Sequence, residues 1–418
     1  MSFQQAISGL NATARNLDVI GNNIANAGTV GSKTSRVEFA DMYSSAIGGG
    51  SSKQAGVGVA VASVSQMFSQ GSITSTSNPL DVAITGNGFF QVKTSDSTVM
   101  YTRDGEFKLD RNGYIVNNQG HKLMGYAADA AGVVQSGEAR ELQLSTSAIE
   151  PKPTSKVTIN ANLDSRSLIT QPAAGPGIDF NDANTYNSAT SVNAVDANGK
   201  DVVLTMYFQK TAAETWDIYA TANGEPVGGV PAVPITTMTF PGTGAAPISP
   251  AAPLTVNVPA GTVTNGVGTL PISGLLVDLT GFTQFAAPFG VTKLDQDGYG
   301  AGALSGVVVE PSGLIRANYT NGRSRSIGQI ELATFSNMNG LQPSGGNEWS
   351  RTVDAGDPVL GVPGSGNLGS LQTSALEDSN VDLTSELVNM MIAQRTYQAN
   401  AQTIKTQDQV LQTLVNMR

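Results

Sequence analysis

The sequence predicts mainly β globular domains inserted between long N- and C-terminal α-helices that pair as a coiled coil. Three observations carry that expectation. Each end of the chain shows a seven-residue apolar repeat, the middle alternates in short strands punctuated by turn dipeptides, and charge is scarce throughout.

At the N-terminus, Phe3, Ile7, Leu10, Ala14, Leu17, Gly21 and Ile24 step by alternating fours and threes, with Gly21 the small exception. That spacing lays one stripe along a helix. At the C-terminus the same steps run through Leu383, Leu387, Met390, Gln394, Tyr397, Ala401, Ile404, Asp408, Leu411 and Val415, broken only at Gln394 and Asp408. SNVDLTSEL precedes this second stripe; Asp382 or Thr384 can cap the helix, and Glu386 falls in its first turn. Gly9 and Gly21 each weaken the N-terminal helix by roughly 1 kcal/mol, so it needs partners to be stable. Its remaining face is neutral and polar, with Asn11, Thr13, Asn16, Asn22, Asn23 and Asn26. Such a face suits a buried protein contact or the wall of a channel, and the two stripes together read as a self-assembly seam.

Between the ends the period changes to two. Asp104-Gly105, Asn112-Gly113, Asn198-Gly199, Asn223-Gly224, Ser312-Gly313 and Asn321-Gly322 mark turns. Strands are expected at 88–93, 106–110, 201–210, 215–220 and 328–335, and the Pro- and Gly-rich stretch 226–271 reads as short edge strands and long loops. The expected organisation is nested. Residues 1–32 and 374–418 form the helical ends, 33–71 and 360–373 an extended connection, 72–154 and 286–359 a first β domain, and 155–285 a second β domain inserted in the first.

Composition narrows the function. The chain has 418 residues, a net charge of −10 and only 13% charged residues, against about 25% in ordinary soluble domains. An acidic chain is a poor match for nucleic acid. With no cysteine there is no disulfide, thiolate metal site or cysteine nucleophile. No apolar run approaches the roughly 20 residues of a membrane span, and no apolar signal segment follows Met1, so no membrane insertion and no cleaved signal peptide are expected.

Enzyme signatures fail on inspection. The one histidine, His121, lies in a turn-rich stretch and reads as a surface residue. LDQDGYGAGALSG has Asp295, Asp297 and Gly298 in the manner of a calcium loop, but Gly306 stands where the closing carboxylate belongs. In TGNGFFQ, Gly86 and Gly88 start a dinucleotide fingerprint that Gln91 ends. Trp216 and Trp349 read as core. No catalytic residue, metal or cofactor is expected.

Specific blocks of sequence say more. SGLNATARNLDVIGNNIANAGTVGSK (8–33) resembles the N-terminal signature of the bacterial flagellar rod and hook protein family, and 374–418 resembles its C-terminal signature. LDVAITGNGFFQV (80–92) and YTRDGEFKLDRNGYIVNNQGHKLMGY (101–126) are similar to the family's first β domain. Asn22, Asn26, Gly31 and Lys33 match the signature, while Ser32 stands where the family usually has an aromatic residue. The chain length and the insert are similar to the hook members rather than the shorter distal rod members. The resemblance implies a non-enzymatic subunit of a short curved tube outside the cell, exported without a cleaved signal through the flagellar type III apparatus. It implies as partners other copies of the chain and the distal rod, hook cap and hook–filament junction proteins. A distal rod-like subunit is the alternative within the family. A surface adhesin or carbohydrate-binding β protein is a third reading, and it leaves both helical ends unexplained.

Overall fold

A computed structural model describes residues 3–42, 58–129, 131–135, 137–145, 147–170, 178–229, 231–261 and 268–416. The chain divides into two compact units: Met1–Thr146, Ser305–Asn318 and Ser324–Arg418 form the first, and Ser147–Leu304 with Tyr319–Arg323 the second. Among the described residues the α-helices are α1 (Phe3–Ala25) and α2 (Leu383–Asn416); nearly all other regular structure is strand.

In the first unit, α1 leads into an antiparallel pair, β1 (Ser35–Met42) and β2 (Gly58–Gln66). The connection expected to be merely extended therefore contains hydrogen-bonded structure. The body of the unit is a large sheet in which Phe89–Lys93 pairs with Val99–Thr102 and Lys122–Ala127, and Ser324–Ile330 pairs with Lys122–Ala127. Its aromatic core gathers Phe89, Tyr101, Phe335 and Trp349. Phe68 and Phe89 each meet the Trp349 ring edge-on, at centroid separations of 5.5 and 5.7 Å. The C-terminal segment returns through Ser370–Thr373, which pairs with Val82–Thr85, and Ala375–Glu377, which pairs with Ile73–Ser75. Both ends of the chain are thus hydrogen-bonded into the same unit.

In the second unit, Asp201–Ala212 pairs antiparallel with Ser188–Val195 and with Thr215–Ala222. The last strand turns at Asn223 (φ 51°) and Gly224 (φ 90°), the successive positive φ values that make Asn-Gly a hairpin turn. A second sheet orders Leu254–Val258, Ile272–Asp278, Lys156–Asn162 and Gly290–Gln296. One core, including Trp216, Phe208, Ile159 and Phe282, draws on both sheets. The stretch 226–271 carries the short strands Thr236–Thr239 and Leu254–Val258, while 262–267 lie outside the described residues.

The boundary of this unit corrects the expected 155–285. Gly290–Gln296 pairs antiparallel with Lys156–Asn162 across Ile159 and Leu294, so it belongs to the insert and not to the first β domain. His121 is also not a plain surface residue. Its Nδ1 lies 2.8 Å from Oε1 of Glu348, whose side chain is buried and also accepts from Asn117 Nδ2 at 2.7 Å. Asp297 accepts from the backbone N–H groups of Ser155 and Lys156, from Ser155 Oγ and from Lys152 Nζ, all between 2.6 and 2.9 Å. Burial raises this carboxyl, but those donors outweigh burial and hold it well below the usual range. They occupy the oxygens that a calcium loop would use.

Candidate assembly interface

The two helices run antiparallel. Gly9 of α1 lies against Asn400 of α2, where an added Cβ would stand 3.0 Å from the Asn400 amide. Near the other end, Asn23 and Glu386 line the same groove. Small residues make this approach possible: Ala6, Ala12 and Thr13 are buried on α1 beside the larger Ile20, and Ala393 on α2. Asp382 caps α2, as its sequence suggests, accepting from Thr384 N at 2.8 Å and Ser385 N at 3.3 Å. Those donors hold its carboxyl below the usual range, the Ser385 backbone N–H first among them.

The expected seam coincides only in part with the face that joins the helices within one chain. The inward positions of α2, marked by Glu386, Ala393 and Asn400, lie roughly a quarter-turn from Leu383, Leu387 and Ala401 at 100° per residue. Leu383, Leu387, Tyr397, Leu411 and Val415 are exposed, Val415 at 74% and Leu387 at 51%. Met390, Ala401 and Ile404 are half-buried. On α1, Leu10, Leu17 and Ile24 are half-buried and Ile7 is exposed, while the Phe3 side chain lies outside the described residues. Gly9 and Ala393 permit close helix approach, while Leu383 and Leu387 on another side of α2 are left uncovered. The neutral polar face of α1 is divided as well. Thr13 and Asn23 are buried, and Asn23 exchanges hydrogen bonds with the backbone of Ser35, Nδ2 to O at 2.8 Å and N to Oδ1 at 2.9 Å.

Where the helices enter the β body, the signature residues converge. Asn26 Nδ2 donates to the Asn22 carbonyl at 3.0 Å, closing the end of α1. Gly31 has φ +70° and donates its N–H to the Glu377 carbonyl at 2.8 Å. A Cβ at Gly31 would lie 2.7 Å from the Asp104 nitrogen, so both conformation and space require glycine there. Lys33 Nζ donates to Glu377 Oε1 at 2.6 Å and to the Ser69 carbonyl at 2.8 Å. Arg103 Nη1 reaches Glu377 Oε2 at 3.2 Å, and Gly71 N–H donates to Glu377 Oε1 at 3.0 Å. The three charged side chains are essentially inaccessible to water. Burial lowers the Lys33 and Arg103 values against the opposing pull of the carboxylate.

This knot ties the N-terminal segment, the β body and the C-terminal segment to one carboxylate. Asn380 repeats the arrangement beside it: its Oδ1 accepts from Thr34 N and Oγ1, both at 2.7 Å, and its Nδ2 donates to the Met67 carbonyl at 2.8 Å. Arg103, Glu377 and Asn380 escaped the sequence reading. The available signal was charge inside otherwise neutral blocks, YTRDGEF and SALEDSN.

No helix among the described residues is long and apolar enough to cross a membrane. The arrangement offers anchored helices and an uncovered apolar stripe, which are features of a self-assembling part. Comparison with known proteins agrees. "Flagella basal body rod protein" matches 3–33, "Flagellar hook protein FlgE/F/G D1 domain" matches 83–168, "Flagellar basal body protein FlaE D2 domain" matches 162–299, and "Flagellar basal body rod FlgEFG protein C-terminal" matches 372–417. The chain is 40% identical over 420 residues to the flagellar hook protein FlgE of Salmonella typhimurium, covering all of both chains. It is 39% identical over 426 residues to that of Escherichia coli, again covering all of both. Against that of Borreliella burgdorferi it is 32% identical, covering 100% of this chain and 99% of the relative. The crystal structure of the Helicobacter pylori flagellar hook protein FlgE2 shares the fold at a TM-score of 0.52 and 15% identity, covering 73% of this chain and 100% of that one. With full-length identity of this order, the chain belongs to the flagellar hook protein FlgE family.

Proposed function

We propose that this chain is a non-enzymatic structural subunit that polymerises into the short, curved, helical tube of the flagellar hook and transmits torque from rod to filament. The observation that carries the reading is the uncovered apolar surface of α2: Leu387, Val388, Met391, Ile392, Val410 and Leu411 are all more than 40% exposed in a single copy. Exposed apolar surface on that scale marks an interaction site. Neighbouring copies cover it, completing a coiled coil along the seam that one chain leaves open. The partners are other copies of the chain, the distal rod, hook cap and hook–filament junction proteins, and the type III export apparatus, through which the chain leaves the cell. The β units form the outer layers and slide against neighbours as the tube turns. A charge-poor surface favours sliding because few ion pairs break in register.

Immunogold electron microscopy with antibody against residues 155–285 tests this. Gold should sit on a short curved segment between cell and filament. Label along the whole filament, or diffuse label over the cell surface, would overturn it.

A further inference from the structure

Between α1, α2 and β1, within the first unit, lies a groove of about 380 Å³. Val19, Ile20, Phe39 and Met67 give it an apolar patch within a mixed lining that includes Asn16 and Asn389, and Phe39 and Met67 are 48% and 41% exposed. Glu386 also lines it, and its Oε2 is buried with no hydrogen-bond partner. The one cation in the lining, Arg36, is already engaged by Glu38 at 3.3 Å. The groove thus lacks both an apolar cover and a positive charge, and a buried carboxylate oxygen left unpaired is costly.

The outer side of α2 carries the complement. Val388, Met391 and Arg395 are spaced three and four residues apart and so form one ridge. Val388 and Met391 are 44% and 53% exposed. Arg395 is exposed, and no ion pair involves it among the described residues. The other helical cations outside any ion pair among the described residues are Arg15, beside Asp18 at i+3, and Lys405, flanked by Gln402, Asp408 and Gln409; neither sits on a ridge of large exposed apolar residues.

We infer that the groove of one copy receives the Val388–Met391–Arg395 ridge of a second copy, with Arg395 pairing to Glu386. This rests on the hook-subunit reading and specifies its contact. Groove and ridge are different surfaces of one chain, so the contact is head-to-tail and need not close, and repetition gives an open helical polymer.

The chain has no cysteine, so a Phe39→Cys, Met391→Cys double variant reports the contact directly. After assembly and mild oxidation, a non-reducing gel should show a ladder of dimers, trimers and higher multimers that reductant collapses. Monomer alone, or dimers that never extend, would overturn the proposal. Independently, Glu386→Arg and Arg395→Glu should each lower the number of assembled hooks at least ~10-fold, as losing a buried interfacial charge pair does. The combined variant should recover to within about threefold of the parent; a combined variant no better than the weaker single one would sink the pairing. The parent chain, expressed in cells lacking their own hook protein, separates the two readings. If it builds hooks while the ladder and the rescue both fail, the docking mode falls and the hook assignment stands. If it builds none, the assignment itself falls.

Discussion

Replacing Glu377 by glutamine should loosen the junction between the helices and the β body. The exchange preserves side-chain size and one acceptor oxygen, so packing is nearly constant and charge is the variable. In the parent, two buried cations share one carboxylate at 2.6 and 3.2 Å. Neutralising it leaves Lys33 and Arg103 uncompensated at inaccessible positions, and breaking a buried pair by removing one partner costs about 3–5 kcal/mol. The two tryptophans make this measurable, because Trp349 is buried in the first unit and Trp216 in the second. In a Trp216→Phe background, fluorescence during urea unfolding follows Trp349, and so the first unit alone. At a slope near ~3 kcal/mol per molar urea the midpoint should fall by about 1–2 M. A triple variant, Lys33→Met, Arg103→Met and Glu377→Leu, should lose less than the single change, since it leaves no charge unpaired. A loss below ~1 kcal/mol for Glu377→Gln, or a triple variant worse than the single one, would refute the view that the knot's strength lies in charge compensation.

Three further outcomes are expected. Gly31→Ala forces a side chain into φ +70° with its Cβ 2.7 Å from the Asp104 nitrogen; the conformation alone costs ~1–2 kcal/mol, and Trp349-monitored unfolding should register at least that. Burial, with further help from the neighbouring charges of Glu106, Asp81 and Glu348, pushes the Asp104 carboxyl up to about 6 from 3.8. Between those values the folded protein holds a proton that the unfolded chain has released, so this group's contribution to stability falls as pH rises from 4 to 6. Above that it costs up to about 3 kcal/mol. Asp104→Asn should therefore match the parent near pH 3 and exceed it in unfolding midpoint at pH 7; equal midpoints at both pH values would refute the burial argument. Leu411→Asp and Leu387→Asp change exposed residues of the single chain, so its stability should move by less than ~0.5 kcal/mol. Polymerisation should nevertheless be abolished, because in the tube the new charge is buried without a partner; normal tubes by electron microscopy would show the seam to be misplaced.

Features set by near neighbours in the chain were legible without coordinates. Asp382 caps α2 through residues two and three positions on, and Asn223-Gly224 forms its turn from its own φ preferences, so a short window contains the cause. The apolar periodicity likewise identified both helices and the stripe on each. It did not say which partner covers the stripe, because a period specifies a face and not its neighbour. Gly9 and Ala393 allow the close intrachain contact and Leu387 faces away from it, while Leu411 lies eleven residues past Asn400, where α1, starting six residues before Gly9, no longer covers it. Gly290–Gln296 could not be assigned to a unit until its ladder with Lys156–Asn162 was seen. The knot shows the same limit most plainly. Lys33 and Glu377 stand 344 residues apart, and only the folded return of the C-terminal strands beside Val82–Thr85 and Ile73–Ser75 brings that carboxylate to its two cations. The sequence by itself determined the two helices, the α2 cap, the β character of the middle and the family resemblance. Tertiary structure decided which faces are buried and which charges meet, because burial and pairing are set by distance in space, which local pattern does not encode.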